Sequence, residues 1–313
     1  MDSEDNSAPR GERGIEQFSH VSVLSQEAID FLAIRRGGTY LDATLGLGGH
    51  SYEIAKRLGA QGHLIALDKD TNALEMARRR LEQVPDDLKE DWPQITLLHA
   101  SFAEMKQHIA SKSLDGVLAD LGISSMQLQD AGRGFSFQAE GPLDMRMNPH
   151  GDLTAEQVVN HTSERELADV IYEFGEERRS RRIARAICRA RPIRTTAHLA
   201  QVISVAARPM NQAERRIHPA TKTFQALRIF VNHELDDLKE LLASVPSRLV
   251  PRGRLVVISF HSLEDRIVKD SLRDGASAGK YELLTKKPVT ATEEEIDRNP
   301  RSRSAKLRAA ARK

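Results

Sequence analysis

The sequence predicts an α/β fold: a parallel sheet flanked by helices, with a helical subdomain inserted into it. Three observations carry this. Strand-like apolar runs alternate with helix-periodic ones along the chain. The first strand runs into a glycine turn, LDATLGLGGHS from Leu41 to Ser51, and a helix starts just behind it. About a hundred residues between Asp120 and Phe224 then show no clear strand, too many for a bare loop in a compact domain.

Strands are expected at Thr39–Ala43, His63–Leu67, Ile95–His99, Gly116–Ala119 and Leu255–Ser259. Helices fit Leu24–Leu32, His50–Arg57, Thr71–Leu81 and Phe224–Leu242. The last carries Phe224, Leu227, Phe230, Val231, Leu235, Leu238 and Leu242 on one side at helical spacing. The final segments, YELLTKKPVT and RNPRSRSAKLRAAARK, fit a hairpin of two more strands, one of them antiparallel to the sheet. The alanine and arginine content of Ser304–Arg312 fits a helix equally well.

Residues 1–16 are polar and acidic, unlike a signal or transit peptide, and read as a disordered tail. Residues 17–140 with 219–313 carry the sheet. Residues 141–218 form the helical insert, broken near Pro192 and Pro209. The insert leaves the sheet at the carboxyl end of the fourth strand, where open α/β sheets bind ligands. It would overhang that edge as a substrate-selecting cap.

Composition narrows the classes. Forty per cent of the 313 residues are apolar, enough for a proper core. Lysine plus arginine (46) nearly balance aspartate plus glutamate (45), so any nucleic-acid surface must be local. The single cysteine, Cys188, excludes an internal disulfide and a cysteine-based zinc site. It suits a reducing compartment, and a cytoplasmic location is expected. No apolar run reaches the ~18 residues of a membrane span. His218, His233 and His261 are scattered, no HExxH pattern exists, and no metal is expected.

The turn reads D-x-T-x-G-x-G, from Asp42 through Thr44 and Gly46 to Gly48. Glycines there let the backbone approach a ligand. Asp68 ends the second strand about 20 residues on, where a carboxylate can accept bonds from both hydroxyls of a ribose. An adenosine-containing cofactor is expected. A dinucleotide fingerprint starting at Gly46 needs a third glycine where Ser51 stands. The turn looks more like the first motif of S-adenosylmethionine-dependent methyltransferases, whose cofactor has no phosphate.

Five segments together resemble one family: FSHVSVL, LDATLGLGGHS, ADLGISSMQLQDAGRGFSFQAEGPLDMRMNP, HPATKTFQALRIFVNHELDDL and VISFHSLEDRIVK, with NPRSRSAKLR closing the set. They are similar to the MraW (RsmH) family, bacterial methyltransferases of small-subunit ribosomal RNA, over nearly everything after Phe18. The resemblance implies a class I methyltransferase fold with a Rossmann-like sheet and a helical insert. It implies S-adenosyl-L-methionine as cofactor and the small ribosomal subunit as partner, and it requires no metal. It implies N4-methylation of one cytidine of 16S rRNA in the decoding region near the P site (conventionally cytosine 1402). A homodimer is compatible with it. Carried over by motif, the cofactor contacts are Gly48, Gly49, His50, Asp68, Phe102, Asp120 and Gln127. Met126 and Gln129 depart from the proline and aspartate common in the family.

The residues suggest how such chemistry would run. Asp120 ends the fourth strand, where a carboxylate can bind the cofactor's ammonium and stabilise its sulfonium. The cytosine amino group is a poor nucleophile because its lone pair is delocalised into the ring. Acceptors for its protons pull the nitrogen towards tetrahedral geometry. Many amino-group methyltransferases use an (Asp/Asn)-Pro-Pro-aromatic loop for this, and DLGISS, Asp120 to Ser125, corresponds to it. Asp120 or nearby carbonyls are the candidates. His261, after the fifth strand, is a candidate proton acceptor or RNA contact, or a histidine satisfied by local bonds. Phe102, read alone, is a core aromatic. The resemblance places it against the adenine.

EERRSRRIARAICRARPIR, Glu176 to Arg194, carries eight arginines. Arg178, Arg182, Arg185 and Arg189 share a stripe at helical spacing, away from Ile183 and Ile187. Such a stripe is either a solvated face or, beside the site, a contact for RNA phosphate. Lys222 near the start of the Phe224 helix joins it as an RNA candidate. A second basic set, Arg298, Arg301, Arg303, Lys306 and Arg308, reaches the same groove or is a soluble tail. The rivals are a nicotinamide-dependent oxidoreductase, which Ser51 argues against, and a DNA amino-methyltransferase, which lacks its Pro-Pro-aromatic loop here. A non-catalytic RNA-binding ribosome-assembly factor with a vestigial nucleoside pocket is the third. The intact set Asp42, Asp68 and Asp120 argues against that one.

Overall fold

A computed structural model describes residues 22–208 and 218–313. The expected tail at 1–16 and the break at Pro209 lie outside them. Seven strands form one sheet: β1 Thr39–Asp42, β2 His63–Asp68, β3 Gln94–His99, β4 Leu114–Asp120, β5 Leu249–Ser259, β6 Tyr281–Leu283 and β7 Lys306–Arg312. Their order is β3-β2-β1-β4-β5-β7-β6. The pairs among β1 to β5 are parallel, and β7 runs antiparallel to both of its neighbours, β5 and β6. This is the class I methyltransferase sheet.

Five helices belong to its first half: α1 Ser25–Leu32, α2 Gly49–Leu58, α3 Thr71–Leu81, α4 Met105–His108 and α5 Ser125–Gln129. Among the described residues, four more lie between α5 and residue 208: α6 Ala155–His161, α7 Glu164–Gly175, α8 Ser180–Ala190 and α9 Thr196–Ala206. Then come α10 Thr221–Asn232, α11 Glu234–Arg248, α12 Ser262–Ser277 and α13 Glu293–Arg298.

Alternation along each strand sends neighbouring side chains to opposite faces. Leu41, Val117, Leu255 and Val257 pack with Leu238, Leu242, Val268 and Leu272 of α11 and α12. Tyr40, Leu118 and Val256 pack with Leu24, Leu32, Ile54 and Leu58 on the other face. Each such leucine, fully buried, contributes roughly 1.5–3 kcal/mol.

Two expectations are corrected or decided here. The helix read as Phe224–Leu242 is two helices, broken at His233, which takes a left-handed φ of 54°. The reason is that its apolar residues serve two cores. Phe224, Leu227 and Val231 pack with Leu167, Ile171, Ile183, Ile187 and Ile203 of the insert helices. Leu238, Leu241 and Leu242 pack on the sheet. Asn232 secures the corner: its Nδ2 donates to the carbonyls of Met145 and Arg228, and its Oδ1 accepts from the N–H of Met147. The second case is Ser304–Arg312, whose last seven residues form β7 and no helix. Ala309, Ala310 and Ala311 are buried between β5 and β6. A ladder on both sides outweighs alanine's helical preference.

The chain lays β2 and β3 to one side of β1 and then crosses to place β4 on the other. That reversal opens a crevice above the carboxyl ends of β1 and β4, and the insert leaves the sheet from the same edge.

Candidate active site

The glycine turn is held from behind by Asp42. This buried carboxylate accepts from the Thr44 N–H at 3.1 Å and from the Ser51 hydroxyl at 2.7 Å. It therefore ties the turn to the start of α2. Burial lifts its carboxyl above the ordinary range, against the Ser51 bond. Gly48 adopts φ 73°, and a Cβ there would meet the Ala77 Cβ at 3.1 Å. Its bareness lets α3 close against the turn.

Asp68, half-buried at the end of β2, accepts from the N–H groups of Gly46 and Asp70, both at 2.8 Å. Each carboxylate oxygen keeps a further lone pair. Desolvation pushes its carboxyl up to about 6, against those two bonds. Asp120 ends β4, and its N–H donates to Thr44 Oγ1 at 2.6 Å, which fixes the strand end to the turn. Its Oδ2 lies 3.5 Å from Nε2 of buried His50. Among the described residues neither His50 ring nitrogen nor Asp120 Oδ1 has a hydrogen-bond partner. Burial disfavours a charged His50, but Asp120 and then Asp42 prevail and raise it.

Thr44, Gly46, His50, Asp68 and Asp120 line a crevice of about 520 Å³. Of the residues expected to hold a cofactor, Gly46, Gly49, His50, Asp68, Phe102, Asp120 and Gln127 line it. Asp42 and Gly48 sit behind it as supports. Gln127 is spent on structure: its Oε1 accepts from the Ser124 N–H, and its Nε2 donates to Asp70 Oδ2 at 2.9 Å. It thus joins the loop after β4 to the loop after β2. Phe102 opens the turn after β3, and Ser101 before it donates to Asp237 at 2.8 Å. Its ring is only partly buried against the core, which leaves it a face on the crevice. A diol, a cation and a flat base all find partners here: Asp68, the partly exposed Asp120 carboxylate, and Phe102. Those are the parts of S-adenosylmethionine, so the residues fit that group.

A family model for the MraW methylase family matches residues 17–313. The chain belongs to the MraW methylase family. A ribosomal RNA small subunit methyltransferase H from Acidobacterium capsulatum is 61% identical over 299 residues, covering 96% of this chain and all of that protein. A protein of the same name from Sorangium cellulosum is 49% identical over 310 residues, covering 97% and 92% of the two chains. Among solved structures, an rRNA methylase from Streptococcus thermophilus superposes with a TM-score of 0.43 at 10% identity, over 94% of this chain and 99% of that one. S-adenosylmethionine is the methyl donor that goes with this family and fold, as expected from the sequence.

The chain places the other candidates less uniformly. His261 caps α12: its Nδ1 accepts from the Glu264 N–H at 3.4 Å, and its Nε2 lies 3.0 Å from Glu264 Oε1. The ring is turned to Glu264 and is absent from the crevice lining. Arg182, Arg185 and Arg189 project from the exposed side of α8, while Ile183, Ala184 and Ile187 are buried. Arg178 lies in the turn before that helix. Arg185 pairs with Glu164 at 3.2 Å. Lys222 donates to the Glu176 carbonyl at 3.1 Å, next to crevice-lining Thr221. Lys306 and Arg308 of the second basic set pair with Asp265, whereas Arg301 lines the crevice.

Sequence reasoning missed Glu234 and Glu264 and left Arg228 without a role. Arg228 clasps Glu234 with two bonds of 2.8 Å at the crevice wall. Burial opposes the charge on Glu264, but His261 and Arg228 hold its carboxyl below the usual range. Arg228 and Glu234 are six apart, a spacing that faces nothing on one continuous helix. Only the break at His233 brings them together. Among the described residues no His/Cys/Asp/Glu group is arranged to hold a metal, and no helix is long and apolar enough to cross a membrane.

Proposed function

We propose that this methylase transfers the methyl group of S-adenosylmethionine to N4 of one cytidine in 16S rRNA of the small ribosomal subunit, conventionally cytosine 1402, in the cytoplasm. One observation carries the reading. Asp120, partly exposed at the end of β4, lines the same crevice as Asp68 and Phe102. The names of the relatives, all small-subunit rRNA methyltransferases, support the RNA class.

When bound, the cofactor supplies a methyl group on a positively charged sulfur. The chain's own residues orient and desolvate. Asp68 accepts from the ribose hydroxyls. Phe102 lies along the base. Asp120 accepts a proton-bearing N–H of the incoming amino group, which localises the nitrogen lone pair for attack. His50 Nε2 lies 3.5 Å from that carboxylate. The proton departs after transfer, so no strong base is required. The target base must be unstacked to enter. Residues 141–218 act as the recognition unit, with Arg178, Arg182, Arg185, Arg189 and Lys222 on RNA phosphates.

Small subunits incubated with isotope-labelled S-adenosylmethionine test this. The intact protein is expected to label cytidine, and Asp120→Ala to be slower by about a hundredfold or more. No label in RNA, or near-normal turnover of the variant, contradicts the proposal.

A further inference from the structure

Four cationic side chains line the crevice: Lys69, Arg80, Arg228 and Arg301. Lys69 pairs with Asp237, and Arg228 with Glu234. Arg80 and Arg301 are also half-buried, yet neither has an ion-pair partner among the described residues. The Arg80 guanidinium lies over the Tyr52 ring at 5.8 Å. Nearby Glu53 is already taken by Lys56 and Arg57. Among the described residues Arg301 donates to the Ser125 hydroxyl. Burial lowers the pKa of both. A cation stripped of water with no counter-charge is costly, and an arriving anion offsets that cost.

Arg80 stands at the His50 end of the crevice, and Arg301 lines it at the start of α5. A Cβ on Gly49 would come within 3.5 Å of Arg80 Nη1, and the Arg80 charge is felt at His50. Ser125, which holds Arg301, opens α5, directly after the loop that follows Asp120. That is the end an acceptor must approach.

We infer that Arg80 and Arg301 form an oxyanion site at this mouth, which grips the RNA phosphate beside the target nucleotide. The inference rests on the proposed RNA reading. Guanidinium groups match phosphate with paired hydrogen bonds, and a base drawn out of its stack brings its own phosphate to the mouth. Two arms from distant parts of the chain, α3 and the turn Pro300–Ser304, would fix that phosphate from two sides. The cofactor's carboxylate presents the same chemistry, so the test separates the two sources.

The full-length protein and its Arg80→Gln, Arg301→Gln and doubly substituted forms are compared. One readout is the Kd for S-adenosylhomocysteine by calorimetry, which also reports folding. The other is binding of a 16S rRNA fragment containing the target cytidine, across a salt series. Each substitution is expected to weaken RNA binding about tenfold and to lower the salt slope by about one, with the calorimetric Kd within twofold. Lysine at either position restores part of the slope. A fragment with one uncharged methylphosphonate beside the target binds the intact protein about tenfold more weakly and the double variant no more weakly. Weakened S-adenosylhomocysteine binding with an unchanged salt slope assigns the site to the carboxylate and overturns the phosphate. No change in either overturns the site, even where the intact protein methylates the fragment. An intact protein that fails to methylate it overturns the parent reading instead.

Discussion

Asp68 faces opposite demands in its free and loaded states. Without cofactor, desolvation favours its neutral form and pushes its carboxyl up to about 6. A folded pKa above the unfolded one contributes stability that is present below the ordinary carboxylate range and lost as pH rises through about 6. Ribose hydroxyls, however, donate to the ionised form. Cofactor affinity is therefore expected to rise as pH climbs through 6, while the cofactor-free protein becomes less stable over the same window. Calorimetric titration from pH 5 to pH 8 checks the first part. Asp68→Asn should flatten the profile and weaken binding at pH 8 about tenfold or more, the worth of hydrogen bonds to a charged group. A flat profile in the intact protein would remove Asp68 from the ribose. This residue and Asp120 were legible from the sequence because each ends a strand beside the glycine turn. The supporting roles of Asp42, Gly48 and Gln127 were not. A motif shows which residues recur around a ligand, not which of them touch it and which hold the others.

At the scale of elements, the bend between α10 and α11 is the feature that composes the crevice wall. It places Arg228 against Glu234 and lets one stretch of chain serve two cores. His233 is exposed and left-handed, so substitutions there act through the backbone. His233→Gly is expected to hold or raise the melting temperature. His233→Val should cost roughly 1–2 kcal/mol, the penalty of a left-handed residue with a Cβ. Denaturant unfolding of the two variants measures this, and equal stabilities would refute the strain at the bend. Sequence periodicity ran straight through the position because both halves are apolar at helical spacing. Periodicity reports that a face is buried, not which core buries it. The same limit applies to β7. Its alanines suggest a helix when read locally, and only the neighbouring strands decide otherwise.

Across the whole molecule, charge is nearly balanced and its distribution is not. The exposed side of α8 carries Arg182, Arg185 and Arg189 on a unit rooted at the ligand edge of the sheet. Replacing two of the three by glutamine should weaken RNA binding and lower its salt slope by about two. Cofactor affinity should not move. An unchanged slope would make the stripe a solvated face. The parallel sheet was readable from the sequence, because strand–helix alternation is local. The insert's sharing of α10 was not, because it depends on packing between segments far apart in the chain.

The central claim is that the crevice methylates a ribosomal cytidine on its exocyclic nitrogen. Nucleoside mass spectrometry of 16S rRNA from parent cells with and without this gene tests it most directly. The account predicts that one cytidine in the decoding region loses a single N4-methyl group in the deletion strain and regains it with the intact gene, but not with Asp120→Ala. Identical modification profiles with and without the gene would contradict it.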